Sequence, residues 1–258
     1  MDRTPRGSDA RLPTGAAIVA FHESCFGRAG WPADETAVAA AVESATRSAG
    51  GSADPATGDR PAPDAPAGML WQWIATNHRY NCLLWAEEDL ARRTRVSDSD
   101  IAANKRNIDG FNQARNDATE RVDELLLVAL GLVDRESAAN DAPVSTPGPG
   151  ARLNSETAGS MIDRLSILAL KVHAMDLQTR RTDVDDAHRE ASKARLERLR
   201  MQRDDLAGCY DRLIEDCRAG RAYFKVYRQF KMYNDPRFNP ALVAEATKGM
   251  KETKGTRA

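Results

Sequence analysis

The chain has 258 residues, 29% of them charged, with a formal net charge of −1. That length buries one substantial core with appendages, and the balanced charge excludes the one-sided basic excess of a nucleic-acid binder. The longest apolar run, Leu125 to Leu132, falls far short of the roughly 20 residues of a membrane span, and no apolar signal region follows Met1. Cys25, Cys82, Cys209 and Cys217 show no C-x-x-C spacing. They read as four buried small hydrophobes in a reducing compartment, and the protein as cytoplasmic.

In chain order, residues 1–13 read as a flexible N-terminus. Thr14–Arg28 forms a short helix with Ile18, Phe21, His22 and Cys25 on one face. Residues 33–67 are rich in Ala, Gly, Ser, Asp and Pro and carry few large apolar side chains, which predicts a flexible, deletable insert. A second helix spans Met69–Arg93. Ser97 or Asp98 caps a third, of about 30 residues, that runs to about Leu132. Pro143, Pro147, Gly148, Pro149 and Gly150 mark 136–152 as a second disordered loop. A fourth helix starts at Ser155 or Thr157 and runs to about Arg181. A fifth runs from about Val184 to Gly220 with Leu196, Leu199, Leu206, Tyr210, Leu213 and Cys217 at a/d-like spacing. Residues 248–258 read as a flexible polar tail. No segment alternates as a strand does, so the expected fold is all-α. It is a bundle of long antiparallel helices in a single domain over 14–247.

Several apolar faces carry polar residues. On the second helix Leu70, Trp73, Asn77, Asn81, Leu84, Glu88 and Ala91 recur every three or four positions and share a face. On the third, Asn112 and Arg115 interrupt a seam that holds Ile108 and Val122. Asp109, Asn116, Glu120 and Asp123 run beside that seam. The fourth threads Asp163, Arg164 and Lys171 between Ile162, Leu165, Leu168 and Val172. Charges among apolar positions are costly unless they are paired or bind something. The pattern predicts a polar layer between helices, with Glu88 and Lys171 paired across antiparallel helices. A polar layer of this kind either fixes helix register or forms a binding site for a small phosphorylated or polar ligand.

The histidines do not cluster along the chain, and no E-x-x-H pair supports a di-iron bundle. His22, His78, His173 and His188 read as packed or capping residues. Ser160 and Ser166 lack a G-x-S-x-G context. The aromatic and cationic segment Tyr227–Pro240 reads as a plug on one end of the bundle, or as a lid whose Lys231 or Arg228 reaches the polar layer.

The stretch Asn81-Cys82-Leu83-Leu84-Trp85-Ala86-Glu87-Glu88-Asp89-Leu90-Ala91-Arg92 belongs with three others. These are Lys105-Arg106-x-Ile108-Asp109-x-x-Asn112-Gln113-x-Arg115-Asn116-Asp117, then Asn154-Ser155-Glu156-Thr157 with Ile162–Leu168, and Phe230–Pro236. Together they resemble the bacterial family known as domain of unknown function 4254, over most of residues 14–240. The resemblance implies a setting beside glycosyltransferases of lipopolysaccharide and other surface-glycan pathways, and implies no activity. The insert at 33–67 departs from the family pattern and is expected to lie outside the site.

The reading that joins the residues to this resemblance is a cytoplasmic protein of surface-glycan assembly. It would bind or process a small anionic metabolite, such as a sugar phosphate or nucleotide sugar. The candidate ligand-binding residues are Asn77, Asn81, Glu88, Asp109, Asn112, Arg115, Asn116, Glu120, Asp163, Arg164, Lys171 and Lys231. One alternative is an all-α nucleotide pyrophosphohydrolase holding Mg²⁺ with Glu88, Glu120 and Asp123, although Ala91 stands where those enzymes place a further acid. Another is a helical adaptor docking a glycosyltransferase through the long fifth helix.

Overall fold

The computed structural model describes residues 12–49, 66–229 and 235–255, which divide into two compact units at Val226. The expected single domain over 14–247 is therefore corrected: its last stretch belongs to the second unit. The first unit is helical, in the order α1 Gly15–Cys25, α2 Glu35–Ala49, α3 Pro66–Leu90, α4 Asp98–Ala129, α5 Arg135–Ala138, α6 Ala158–Thr179 and α7 Asp186–Arg218. Strands β1 Arg152–Leu153 and β2 Ala222–Tyr223 form a single parallel pair. The all-α architecture follows from sustained helical periodicity closed by side-chain caps. Thr14, Ser97, Thr157 and Asp185 each accept a backbone N–H of the following turn. Ser97 and Asp100 complete a reciprocal capping box.

α3 and α4 form an antiparallel hairpin: Asn77 bonds Thr119 near one end and Glu87 bonds Asn104 near the other. α6 and α7 form a second hairpin, and α6 also packs on α3 and α4. Asn77 and Asn81 reach Asp163, while Asn81, Leu84 and Trp85 share a cleft wall with Ile167 and Leu170. α3 and α6 therefore climb in the same direction, which corrects the antiparallel pairing expected for these two helices. The core holds Ile18, Phe21, Ile74, Leu126, Ile162, Leu165, Tyr210 and Phe224. Tyr210 donates its hydroxyl to the carbonyl of Pro13 at 3.2 Å.

Three expectations about flexible segments are corrected. Part of the supposed insert is α2, whose Ala37, Val38 and Ala41 are buried in contact with the core elements. Small side chains let α2 approach α3 closely, so it docks without the large apolar residues that the composition lacked. Residues 50–65, like 1–11, lie outside the described residues. The 136–152 connection is ordered: Thr146 donates its N–H to the Leu132 carbonyl at 2.8 Å, and Arg152 and Asn154 bond the chain at Arg221 and Tyr223. In the second unit, α8 Pro240–Gly255 continues through most of the supposed tail. Its start is held by Asn239, whose side-chain oxygen accepts the Ala241 N–H at 2.9 Å.

Candidate functional site

The polar layer lies where α3, α4 and α6 meet. Asp163 is its hub. One carboxylate oxygen accepts the Asn77 side-chain amide at 2.8 Å and that of Asn81 at 2.9 Å. Asn77 also donates to Thr119 at 3.0 Å, and Asn81 to Ser166 at 3.0 Å. Ser166 lies 2.7 Å from Nδ1 of His78. Asn77, Asn81, His78 and Ser166 are all buried, so the bonds of Ser166 to Asn81 and His78 form where water does not compete, while Asp163 and Thr119 are half-buried. The arrangement joins three helices through side chains at i, i+4 spacing on α3 and i, i+3 spacing on α6.

Arg115 links this layer to the surface. Its Nε stands 3.9 Å from the Asp163 carboxylate, an ion-pair distance beyond hydrogen-bond reach. That Nε is buried and has no hydrogen-bond partner among the described residues, while Nη2 donates to Asn116 at 3.0 Å. The guanidinium faces a cleft of about 410 Å³ lined by Asn81, Leu84, Trp85, Glu88, Asp89, Arg92, Asn112, Arg115, Ile167 and Leu170. A volume of this size accommodates a small metabolite. On the far side of Trp85 lies a second cleft, of about 470 Å³, between α6 and α7. It is lined by Lys171, Ala174, Met175, Gln178, Arg195, Arg198, Leu199 and Gln202 with Trp85.

The structure therefore brings Asn77, Asn81, Arg115 and Asp163 into one network, with Asn112 and Glu88 on the wall of the cleft it borders. Asn116 is drawn in through Arg115. Others stand apart. Asp109 is exposed and pairs with Lys105 on its own helix, and Arg164 is exposed and pairs with Glu156. Lys171 is exposed and lines the second cleft, while Glu88 pairs with Arg92 at 2.9 Å. The two do not form the expected bridge, because Trp85 separates the walls on which they stand. Lys231 lies outside the described residues, as does the part of the aromatic segment from Phe230 to Asn234.

The carboxylates of the metal-binding alternative are not gathered either. Glu120 follows Thr119, which bonds Asn77. From Asn77 to Glu88 the helix climbs roughly 16 Å at 1.5 Å per residue. Asp123 is buried and accepts the Gly159 N–H at 2.6 Å at the start of α6. Burial pushes its carboxyl up to about 7, against the lowering effect of hydrogen bonds from Thr157 and Gly159 and with Glu120 and Glu124 adding to the rise. Gly159 is required at that contact. A Cβ there would fall 2.6 Å from the Thr119 carbonyl oxygen and 2.8 Å from the Asp123 carboxyl carbon. Among the described residues no three His, Cys, Asp or Glu side chains are grouped as a cation site.

Sequence reasoning missed Thr119, Ser166 and His78 as members of the layer, and Trp85 as the wall shared by both clefts. The i, i+4 relation of Asn77 to Asn81 was the available signal, since His78 and Cys82 follow on the adjacent strip. The histidines also cluster in space. His22 packs tilted against His78 with ring centroids 4.4 Å apart, while His78 stacks on Trp31 at 5.4 Å and His173 on Phe26 at 4.3 Å. Burial lowers the basicity of both His22 and His78, His78 to about 3, so the rings pack as neutral aromatics. Of the cysteines, Cys25, Cys82 and Cys217 are buried but Cys209 is exposed, which corrects the expectation for that one. Burial raises the Cys25 and Cys82 thiols to about 12.

Fold and site together define an all-α bundle protein with a buried polar layer that borders a surface cleft. No described helix is long and apolar enough to cross a membrane. The chain belongs to the family described as Protein of unknown function (DUF4254), whose model matches residues 71–226. That span runs from the first turns of α3 through β2 and contains every member of the polar layer. No curated protein and no solved structure matches the chain.

Proposed function

We propose that the protein binds a small anionic metabolite, a sugar phosphate or nucleotide sugar, in the cleft at Arg115. The setting is the cytoplasmic side of bacterial surface-glycan assembly, as the family resemblance implies. The observation that carries this reading is the Arg115 guanidinium. It is held at the mouth of a buried network, 3.9 Å from Asp163, with its Nε lacking a hydrogen-bond partner among the described residues. Its Nε is buried, but the side chain is partly exposed at the cleft, and the Nη groups offer donors to an incoming phosphate or carboxylate. Asn112 and Glu88 on the same wall supply the amide and carboxylate that hydroxyl groups of a sugar require.

A network serving only to fix helix register would be expected to close its bonds internally, as Asn77, Asn81 and Ser166 do. Arg115 departs from that pattern. Thermal-shift measurements on the full chain with inorganic phosphate, glucose 1-phosphate, UDP-glucose and MgCl₂ test the reading. Glucose 1-phosphate or UDP-glucose should raise the melting temperature by roughly 5 °C or more at a hundredfold excess over Kd. MgCl₂ alone should leave it unchanged. A shift with MgCl₂ and none with either sugar compound would move the assignment to a metal-dependent activity.

A further inference from the structure

We infer that the second cleft takes the nucleoside diphosphate end of an activated sugar whose sugar end occupies the first; this rests on the reading of the first cleft given above. The two clefts share Trp85 and differ in chemistry. The first holds Glu88, Asp89, Asn81 and Asn112 beside Arg92 and Arg115, a mixture of acids, amides and cations suited to hydroxyl groups. The second holds Lys171, Arg195 and Arg198 and no acidic residue, over an apolar wall of Met175 and Leu199. None of its three cations has a carboxylate partner among the described residues, whereas Arg92, Arg180, Arg189 and Arg203 nearby on α3, α6 and α7 or leading into them are all paired.

Unpaired cations beside an apolar surface match a group that is both multiply anionic and flat. Phosphates take the Lys and Arg side chains, and a nucleobase covers Met175, Leu199 and the Trp85 face. The volume of about 470 Å³ suits such a group. Trp85 at the junction places the diphosphate between Arg115 on one side and the α7 cations on the other. A prenyl diphosphate offers the same pairing of apolar body and phosphate, and the experiment separates the two.

Calorimetric titration of the full chain with UDP, ADP, GDP, CDP, pyrophosphate, farnesyl diphosphate and glucose 1-phosphate tests the assignment. At least one nucleoside diphosphate should bind, and pyrophosphate should bind it at least tenfold more weakly for want of the apolar contact. The double change Arg195→Gln, Arg198→Gln removes two exposed side chains and should weaken the nucleoside diphosphate by roughly tenfold or more. It should leave glucose 1-phosphate binding unaltered. The inference is overturned if none of the four nucleoside diphosphates binds, if pyrophosphate or farnesyl diphosphate binds as tightly as the best of them, or if the double change has no effect. In each of those cases the glucose 1-phosphate titration still reports separately on the Arg115 cleft.

Discussion

Asp163 and Asp123 are both acids between helices, yet they do different work. Asp163 accepts two buried amides and faces Arg115. Asp163→Ala strands those amides without an acceptor, so urea unfolding should show a loss on the order of 3 kcal/mol. Asp123 instead ties α4 to the first turn of α6, and its carboxyl is raised from 3.8 to about 7, chiefly by burial. Between those values the folded protein holds a proton that the unfolded chain has released. The stability it contributes is complete below 3.8 and is lost as the pH climbs to about 7. Asp123→Asn should flatten that decline in a plot of melting temperature against pH. An unchanged slope would show that Asp123 is not the titrating group. Much of this layer was legible in the residues alone: Asn77, Asn81, Arg115 and Asp163 stand out as polar members of apolar faces. Their partners were not, because Thr119, Ser166 and His78 are ordinary helix residues until the rotation of each helix against its neighbours is known.

At the level of elements, the long helices were readable because caps and apolar spacing agree along them. α2 was not readable, since Ala-rich sequence between Gly- and Pro-rich stretches reads as a linker on composition. Packing decided otherwise, because Ala37, Val38 and Ala41 are small enough to seat one helix closely on another. Val38→Asp buries a charge at that contact and should cost about 3 kcal/mol in urea unfolding, whereas a true linker would tolerate it. The α4–α6 crossing makes a similar demand at Gly159. Gly159→Ala has to push α6 away from the Thr119 carbonyl and should cost about 1–3 kcal/mol. The expected Glu88–Lys171 bridge failed for a geometric reason. Helical spacing places a residue on a face of its own helix, but not on a chosen side of a neighbour such as Trp85.

In the first unit, the helices build a core that is apolar at its centre and polar along one seam, and the seam reaches solvent at the Arg115 cleft. The central claim is that the Arg115 cleft binds a phosphorylated metabolite and does not merely fix the register of the bundle. The direct measurement is calorimetric titration of glucose 1-phosphate into the native chain and into Arg115→Gln, with urea unfolding of both. The account predicts that the native chain binds, that the variant binds at least tenfold more weakly, and that the two differ by less than about 1 kcal/mol in stability, since the Arg115–Asp163 pair is long and partly solvated. Equal binding by the two, or a variant that is destabilised by several kcal/mol while the native chain binds nothing, would contradict it and leave Arg115 as a structural residue.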